Sequence, residues 1–317
     1  MNKNTILALH PLLPREMEQL EHHYDVIRLW EAHDPEAVMQ ERAADVQAIL
    51  STYNGRGVSE RLMSALPNLE IIVQFGAGFD NIDLDAARKR GIAVTNTPDV
   101  LTNDTADVAL HLMLNVARRA VEADMFVRVG RWLNGAMPLS TSLTGKTVGI
   151  VGLGRIGCAI AKRAEAFDMQ IVYHSRTQKD NVPYKYYMQL EEMARDSDFL
   201  VMACAGNEDT HNLITYKIFE ALGPRGYLIN VARGSVVNEE DLLIALTNKT
   251  IAGAGLDVFA NEPHVPEALF KMDHVVLSPH VGSATLETRS KMGQLVLDNL
   301  EAHFSGGALL TPVRAAA

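Results

Sequence analysis

Cysteine is scarce in this sequence, and that scarcity excludes several classes of protein. The chain has two cysteines, Cys158 and Cys204, and no C-x-x-C pair. A scaffold stapled by disulfides is therefore excluded, and so is a cysteine-rich zinc fold. The histidines show no metal-ligand spacing with other ligands, so we expect no metal site.

Long apolar runs are also missing. No stretch approaches the roughly 18 uninterrupted apolar residues that a membrane-spanning helix needs. Near the N-terminus, the run Ile6–Leu9 is too short for the core of a secretory signal peptide. The sequence therefore predicts no membrane partner, and we expect a cytoplasmic location.

Basic residues are in deficit relative to acidic ones. The chain has 29 Lys and Arg against 39 Asp and Glu, which gives a formal net charge of -10. Such a surface repels nucleic-acid phosphates and anionic lipids, so neither is expected as a partner. Its 317 residues and 47% hydrophobic content are typical of an ordinary globular protein with about two domains.

Short apolar runs alternate with helix-like segments along almost the whole chain. This rhythm predicts an α/β fold with two Rossmann-like domains, each built on a parallel sheet. The predicted strands are Ile6–Leu9, Ala48–Leu50, Ile71–Gln74, Ile92–Val94, Lys146–Val151, Gln170–His174, Phe199–Ala203, Tyr227–Val231, Gly253–Asp257 and Val275–Leu277.

The two α/β blocks meet near residue 100. One long helix is predicted over Asn103–Val129, and a last helix, Leu286–His303, is expected to return to the first block. We therefore predict a discontinuous, flavodoxin-like substrate domain of residues 1–100 and 286–317. Residues 101–285 are the predicted dinucleotide-binding domain.

A glycine-rich loop follows the strand predicted at Lys146–Val151. It reads Gly152-Leu153-Gly154-Arg155-Ile156-Gly157, and an amphipathic segment comes next. Gly152 permits a tight turn, Gly154 lets the backbone approach a pyrophosphate, and Gly157 lets the helix lie close to the strand. The helix N-terminus offers N–H groups and partial positive charge to the phosphates. Alone the motif is weak evidence, but between a strand and a helix it predicts dinucleotide binding.

The residues after the next strand bear on which dinucleotide binds. An NAD site usually places Asp or Glu there for the ribose 2′-hydroxyl, whereas this chain has Ser175, Arg176 and Thr177. A hydroxyl and a guanidinium suit a 2′-phosphate, which a carboxylate would repel. We therefore expect NADP as cofactor, with NADPH preferred, and leave NAD as an alternative. The other interpretation of Arg176 is a solvated loop arginine.

Three strands in the second block are followed by polar segments that carry Arg233, Glu262 and His280. Ligands of open α/β sheets bind beyond the carboxyl ends of the strands. Arginine binds a carboxylate and polarises a carbonyl, and a protonated histidine donates to a developing alkoxide. A neighbouring carboxylate favours that protonated form. Together the three predict reduction of a 2-oxo acid, although each alone also fits an ion pair, a turn or a loop.

These motifs resemble the D-isomer-specific 2-hydroxyacid dehydrogenase family, and within it the glyoxylate and hydroxypyruvate reductases. The chain departs from the family at Cys204-Ala205-Gly206, where Pro-Leu or Pro-Gly is frequent. The similarity covers nearly the whole chain, and the matching segments are Gly76–Asp83, Thr97–Pro98, Thr105–Asp107, Gly152–Gly157, Asn230–Gly234, Gly255–Asp257 and Pro279–His280.

The resemblance implies a role for each matching residue. His280 is the acid/base, Glu262 tunes it, and Arg233 binds the substrate together with His280. Ala77 and Gly78 offer backbone N–H groups to the substrate carboxylate. The implied cofactor contacts, beyond the glycine-rich loop and Ser175, Arg176 and Thr177, are Thr105, Cys204, Thr210, Val231, Ala232, Arg233, Asp257, His280 and Gly282.

The expected reaction is reduction of glyoxylate or hydroxypyruvate, with His280 as proton donor. Phe75 and Phe79 flank the substrate loop and would restrict the substrate side chain, unless both rings face the core. Two alternatives stay open: an enzyme like phosphoglycerate dehydrogenase, and a non-catalytic, dinucleotide-sensing protein like a corepressor. The apolar stretch Asn103–Thr144, which includes Trp132, would be costly to expose and predicts a homodimer.

Overall fold

The computed structural model describes residues 3–53 and 57–313. The chain divides into two compact units. The first unit comprises Met1–Leu101 and Ala284–Ala317, and the second comprises Thr102–Ser283. No helix in the described ranges has both the length and the apolar character needed to cross a membrane.

The first unit is a parallel sheet of five strands in the order β2-β1-β3-β4-β5. This is the strand order of flavodoxin-like folds. Its elements are β1 (Thr5–Ala8), α1 (Pro14–His23), β2 (Asp25–Arg28), α2 (Pro35–Arg42), β3 (Val46–Thr52), α3 (Glu60–Ser64), β4 (Ile71–Phe75), α4 (Leu84–Lys89) and β5 (Ala93–Thr95), together with the C-terminal helix Leu286–Phe304.

The second unit is a parallel sheet of seven strands in the order β12-β11-β10-β9-β6-β7-β8. Its elements are α5 (Thr102–Arg118), α6 (Ala120–Arg128), β6 (Thr147–Val151), α7 (Arg155–Glu165), β7 (Gln170–His174), β8 (Lys185–Tyr186), α8 (Leu190–Arg195), β9 (Phe199–Met202), α9 (Tyr216–Leu222), β10 (Tyr227–Asn230), α10 (Glu239–Thr247), β11 (Gly253–Leu256) and β12 (Val275–Leu277). The C-terminal helix Leu286–Phe304, which belongs to the first unit, is numbered α11.

The order of the second sheet creates a crevice for a ligand. From β6 the chain first builds outward through β7 and β8, and then returns to place β9 on the other side of β6. Helices that leave neighbouring strands in opposite directions open such a switch point at the carboxyl ends of the strands. Any dinucleotide site of this unit is therefore expected beyond β6 and β9.

Both faces of the second sheet are buried. Phe199 and Val201 of β9 belong to one hydrophobic cluster, whereas Leu200 and Met202 belong to another, and all four are fully buried. Side chains of successive strand residues point to opposite faces, so a continuous apolar run is what a parallel sheet covered by helices requires. Polar groups are consequently concentrated at the strand ends.

The predicted α/β class with two parallel sheets is confirmed, and two of its details are corrected. The prediction omitted β2 and β8, which are edge strands of mixed polarity and carry a weak apolar signal. The single helix predicted over Asn103–Val129 is wrong, because α5 and α6 are separate helices. Arg119 between them adopts a left-handed backbone, with φ at 53°.

Tertiary contacts explain the break between α5 and α6, which no glycine or proline marks. The N–H of Thr141 donates to the carbonyl oxygen of Ala117 at 2.9 Å. In a continuous helix that oxygen would accept the N–H of the residue four positions on. Arg119 then pairs with Glu122 at 2.6 Å, which fixes the first turn of α6.

Candidate active site

The glycine-rich loop begins directly after β6, at the switch point of the second unit. Gly152 has φ at +94°, and a Cβ there would lie 2.6 Å from Cys204 Cα and 2.7 Å from Cys204 N. A Cβ on Gly157 would lie 2.2 Å from the carbonyl oxygen of Gly152. Both positions therefore require glycine, the first for its backbone angle and for close strand packing, the second for packing of α7.

The third glycine of the motif plays a different part. Around the position of a Cβ on Gly154, no heavy atom of the described chain lies within 4 Å. The helix α7 starts at Arg155, its N-terminus has no side-chain cap, and the buried Leu153 anchors the loop from below. Uncapped N–H groups beside open space form the cradle that a pyrophosphate needs, so the residues present fit a dinucleotide.

The loop after β7 carries the residues expected to select the cofactor. Ser175 Oγ donates to the carbonyl oxygen of Thr177 at 2.7 Å, and Arg176 is exposed. Two tyrosines brace the loop: Tyr186 Oη donates to Ser175 O at 3.2 Å, and the N–H of Lys179 donates to Tyr173 Oη at 2.8 Å. These two tyrosine hydroxyls thus fix the backbone of the loop, while the side chains of Arg176 and Thr177 face solvent.

Cys204 follows β9 and faces the glycine-rich loop through its backbone. Its thiol is only partly exposed, and burial raises the pKa of that thiol to about 11. The thiol is therefore protonated at neutral pH and unsuited to act as a nucleophile. Thr210 closes the same loop, since its hydroxyl donates to Ala205 O at 2.8 Å, whereas Val231 and Ala232 are buried just after β10.

A histidine–carboxylate pair lies at the carboxyl edge of this sheet. His280 Nδ1 is 2.7 Å from Glu262 Oε2, and the other carboxylate oxygen of Glu262 accepts the N–H of Phe259 at 3.0 Å. Burial acts to raise the pKa of Glu262, but the hydrogen bond and charge of His280, with help from Phe259 and the charge of Arg233, outweigh it and lower that pKa. Glu262 is therefore an anion beside the imidazole.

The segment that carries His280 is fixed by Asp257, which follows β11 and is buried. The two carboxyl oxygens of Asp257 accept the N–H groups of Val281 and Gly282, each at 2.9 Å. Thr105 Oγ1 donates to Gly282 O at 3.0 Å. His280 itself has a left-handed backbone, with φ at 54°. Burial raises the pKa of Asp257, even though these N–H groups and the charge of His280 oppose that effect.

Arg233 is positioned by a residue that our sequence analysis did not select. Asn230, the buried last residue of β10, donates from Nδ2 to Arg233 O at 3.0 Å and accepts the N–H of Ala232 at 3.1 Å. Behind it, a Cβ on Gly234 would lie 1.9 Å from the backbone of Phe259, so the loops after β10 and β11 touch. The available signal was a polar residue that ends a fully apolar strand.

In the first unit, Ala77 and Gly78 follow β4 and are half-buried. The flanking phenylalanines fit the alternative in which both rings face the core. Phe75 is 5% exposed with Arg289 over its ring, and the half-buried Phe79 packs against the core of the first unit. Their packing therefore gives no support to a steric limit on the substrate.

Comparison with known proteins places this site in a family. Residues 110–282 match the model of the D-isomer specific 2-hydroxyacid dehydrogenase NAD binding domain. This chain belongs to that family. Glyoxylate/hydroxypyruvate reductase A of Arabidopsis thaliana is 48% identical over 97% of this chain and 98% of its own length. Hydroxyphenylpyruvate reductase of Plectranthus scutellarioides is 47% identical over the same shares.

A solved structure of the 2-hydroxyacid dehydrogenase family matches the whole chain as well. The NADPH-dependent glyoxylate/hydroxypyruvate reductase of Sinorhizobium meliloti, determined in complex with NADP and malonate, has a TM-score of 0.92 and 46% identity, and the match covers 100% of both chains. The α/β architecture derived above is therefore the architecture of this family.

The second unit of this 2-hydroxyacid dehydrogenase thus brings together the glycine-rich loop, the residues after β7 and the segments that carry Arg233, Glu262 and His280. Asp257, Thr105 and Gly282, implied as cofactor contacts, form the hydrogen-bonded base of the His280 segment. Ala77 and Gly78 belong to the first unit, and their role stays a prediction.

Two alanine substitutions separate the structural glycine from the one expected at the pyrophosphate. Gly152→Ala should lower stability by about 1–3 kcal/mol, because its Cβ meets the Cys204 backbone and its φ is positive. Gly154→Ala should leave the thermal midpoint unchanged and weaken NADPH binding by about tenfold or more, roughly the loss of one hydrogen bond to a charged group. Thermal unfolding measures the stability of each variant, and fluorescence titration measures its affinity for NADPH. Undiminished NADPH binding by Gly154→Ala would contradict the placement of the pyrophosphate.

Proposed function

We propose that this chain is an NADPH-preferring dehydrogenase that reduces a small 2-oxo acid, glyoxylate or hydroxypyruvate, to the 2-hydroxy acid. The observation that carries the proposal is the 2.7 Å contact between His280 and Glu262, in the unit that also carries the glycine-rich loop. A proton donor and a dinucleotide cradle at the carboxyl edge of one sheet are what reduction of a carbonyl requires. A cytoplasmic location remains a prediction from the sequence alone.

His280 acts as the general acid in this proposal. In its protonated form, Nδ1–H donates to Glu262, and we assign Nε2–H to the developing alkoxide oxygen. A nicotinamide dinucleotide held by the glycine-rich loop Gly152–Gly157 would supply the hydride. Arg233 binds the carboxylate and polarises the carbonyl group, a task for which the planar guanidinium is suited. One hydride and one proton convert the oxo acid to the hydroxy acid, and His280 ends neutral.

Ala77 and Gly78 complete the substrate-binding set in the proposal. Both are half-buried backbone positions after β4, and their N–H groups suit the carboxylate of the substrate. Their contribution is to hold the anion, whereas the proton comes from the second unit.

The preference for NADPH rests on the loop after β7. Arg176 offers a guanidinium and Thr177 a hydroxyl, Ser175 can donate once its hydroxyl exchanges Thr177 O for the phosphate, and no acidic residue occupies the end of that strand. These groups suit a 2′-phosphate. The Sinorhizobium meliloti relative, which is described as NADPH-dependent, supports the same choice.

The proposal that the substrate is small rests on the relatives of this chain. It does not rest on steric fit, because Phe75 and Phe79 pack against the core. Glyoxylate/hydroxypyruvate reductase A is 48% identical to this chain, and hydroxyphenylpyruvate reductase is 47% identical. An aromatic 2-oxo acid is therefore the second candidate substrate. Phosphoglycerate dehydrogenase activity and a corepressor-like role are not favoured, since both lack a comparable observation.

We also propose a homodimer. The helix α6 has no buried residue, and several large apolar side chains lie on it and after it. Leu133 is 92% exposed, Leu139 97% and Trp132 68%. A contiguous apolar segment of this kind is costly in a monomer and typical of a subunit interface.

A panel of substrates with both cofactors tests the reaction. We expect kcat/KM for glyoxylate or hydroxypyruvate to exceed that for 4-hydroxyphenylpyruvate by at least about tenfold, which is ~1.4 kcal/mol in the barrier. NADPH should be the better cofactor. The rate of oxidation of NADPH or NADH, followed by the absorbance of the reduced nicotinamide, gives kcat/KM for each substrate and each cofactor. If no 2-oxo acid is reduced, the proposed enzymatic activity is wrong. A tenfold higher kcat/KM for 4-hydroxyphenylpyruvate would favour the aromatic substrate. Equal kcat/KM with NADPH and NADH would refute the preference for NADPH.

Glu262→Gln tests whether the carboxylate beside His280 is needed for the reaction. The hydrogen bond and charge of His280 overcome burial and lower the pKa of Glu262, so Glu262 is an anion 2.7 Å from Nδ1. An amide in its place removes that charge, so kcat/KM for glyoxylate reduction should fall by about tenfold or more, within the range that general acid catalysis contributes. Glu239→Gln is the control, because Glu239 also accepts a loop N–H, from Ala260 at 3.1 Å. Equal kcat/KM for Glu262→Gln and the unmodified enzyme would reject the assignment.

Analytical ultracentrifugation tests the dimer. The unmodified protein should sediment at twice the 34.8 kDa chain mass at micromolar concentration. The double variant Trp132→Ser, Leu133→Ser should sediment as a monomer, because it removes two neighbouring exposed apolar side chains after α6. Phe270→Ser, which changes a 63% exposed ring elsewhere in the second unit, should remain dimeric. A monomeric unmodified protein, or an unchanged double variant, would argue against this interface.

A further inference from the structure

In the loop after β4, successive carbonyl oxygens all point toward anchoring donors of the first unit. Gly76 O accepts the backbone N–H of Thr97 at 2.9 Å. Ala77 O accepts Asn96 Nδ2 at 2.7 Å, and Gly78 O accepts Gln74 Nε2 at 3.1 Å. Each carbonyl of the loop is thus fixed by a different donor.

Because the peptide bond is planar, the fixed carbonyls also determine the direction of the N–H groups that follow them. In a trans peptide the N–H points opposite to the C=O of the same unit. Fixing the carbonyls of residues 76–78 therefore directs the N–H of Ala77 away from Thr97, that of Gly78 away from Asn96 and that of Phe79 away from Gln74. Within the described chain, no acceptor is found for these N–H groups, and all three residues are half-buried.

The side chain of Gln74 can take one orientation only. Both hydrogens of its Nε2 are used, one by Gly78 O and the other by Asn81 Oδ1 at 3.1 Å. Asn81 is oriented in turn, because its Nδ2 donates to Thr52 O at 2.9 Å. A flipped Gln74 amide would place oxygen against two acceptors. Gln74 is fully buried, and its Oε1 has no partner among residues 3–53 and 57–313, so only the Nε2 end of this amide makes hydrogen bonds there.

We infer that Gln74 and Asn96 are positioning residues, which hold the backbone N–H groups after β4 in the arrangement that binds the substrate carboxylate. The inference rests on the proposed function and extends it to residues that do not touch the substrate. Glycine-rich loops rotate their peptides readily, and a rotated peptide would direct a carbonyl oxygen at the anion. Anchoring each carbonyl removes that alternative in advance, which is how preorganised donors gain binding energy.

Two variants test the inference in the full-length enzyme. Asn96→Asp keeps the shape of the side chain and replaces the donor with an acceptor, whereas Gln74→Met keeps the volume and removes the donor. Asn68→Asp is the control, because Asn68 Nδ2 also donates to a backbone carbonyl, Ala44 O, at 2.7 Å elsewhere in the first unit. The measurements are KM and kcat for glyoxylate, Ki for oxalate as a non-reacting carboxylate, Kd for NADPH and the thermal midpoint.

Both test variants should raise KM for glyoxylate and Ki for oxalate together by about tenfold or more, the usual effect of misaligning a hydrogen bond to a charged group. The Kd for NADPH should stay within about twofold, because the dinucleotide cradle lies in the second unit. Asn68→Asp should change none of these values. A loss of packing alone would instead lower the thermal midpoint without raising KM and Ki by the same factor.

The outcomes distinguish this inference from the proposed function. If the unmodified enzyme reduces glyoxylate and the folded Asn96→Asp enzyme has unchanged KM and Ki, the positioning role is wrong and the proposed function stands. If Gln74→Met does not fold, Asn96→Asp alone decides. If the unmodified enzyme reduces no 2-oxo acid, the proposed function is wrong and the inference falls with it.

Discussion

The carboxyl group of Asp257 holds the segment that carries His280. It is 1% exposed, and it accepts the N–H groups of Val281 and Gly282, directly after His280. The left-handed backbone of His280 is therefore maintained from the residues that follow it, and Nδ1 reaches Glu262 as a consequence. An imidazole held in this way loses little entropy when a proton is transferred.

Two carboxyl groups beside one histidine have opposite environments. Burial prevails at Asp257 and raises its pKa, whereas at Glu262 the hydrogen bond and charge of His280 prevail over burial and lower the pKa. Pairs of titratable groups whose environments push their pKa values apart are typical of acid/base sites. Here the difference separates a carboxyl group that holds backbone N–H groups from a carboxylate that stays charged next to His280.

The sequence was informative where function needs particular residues at fixed spacing along the chain. The glycine-rich loop identified the end of β6, and the polar segments that carry Arg233, Glu262 and His280 identified the ends of β10, β11 and β12. It was uninformative where partners are far apart in sequence: the donation of Asn96 to Ala77 O joins positions that no local pattern connects. The break at Arg119 also depends on a contact, from Thr141, and the burial of Phe75 depends on which face of β4 the core covers.

The bracing of the loop after β7 has a consequence for how such proteins change over time. Tyr173 and Tyr186 hold its backbone, while Arg176 and Thr177 face solvent and contribute nothing to the core. Exposed substitutions of this kind typically alter stability by less than about 0.5 kcal/mol. The residues we propose to select the cofactor can therefore change independently of the fold, and a lineage could exchange one nucleotide for the other by a few substitutions that leave the scaffold intact.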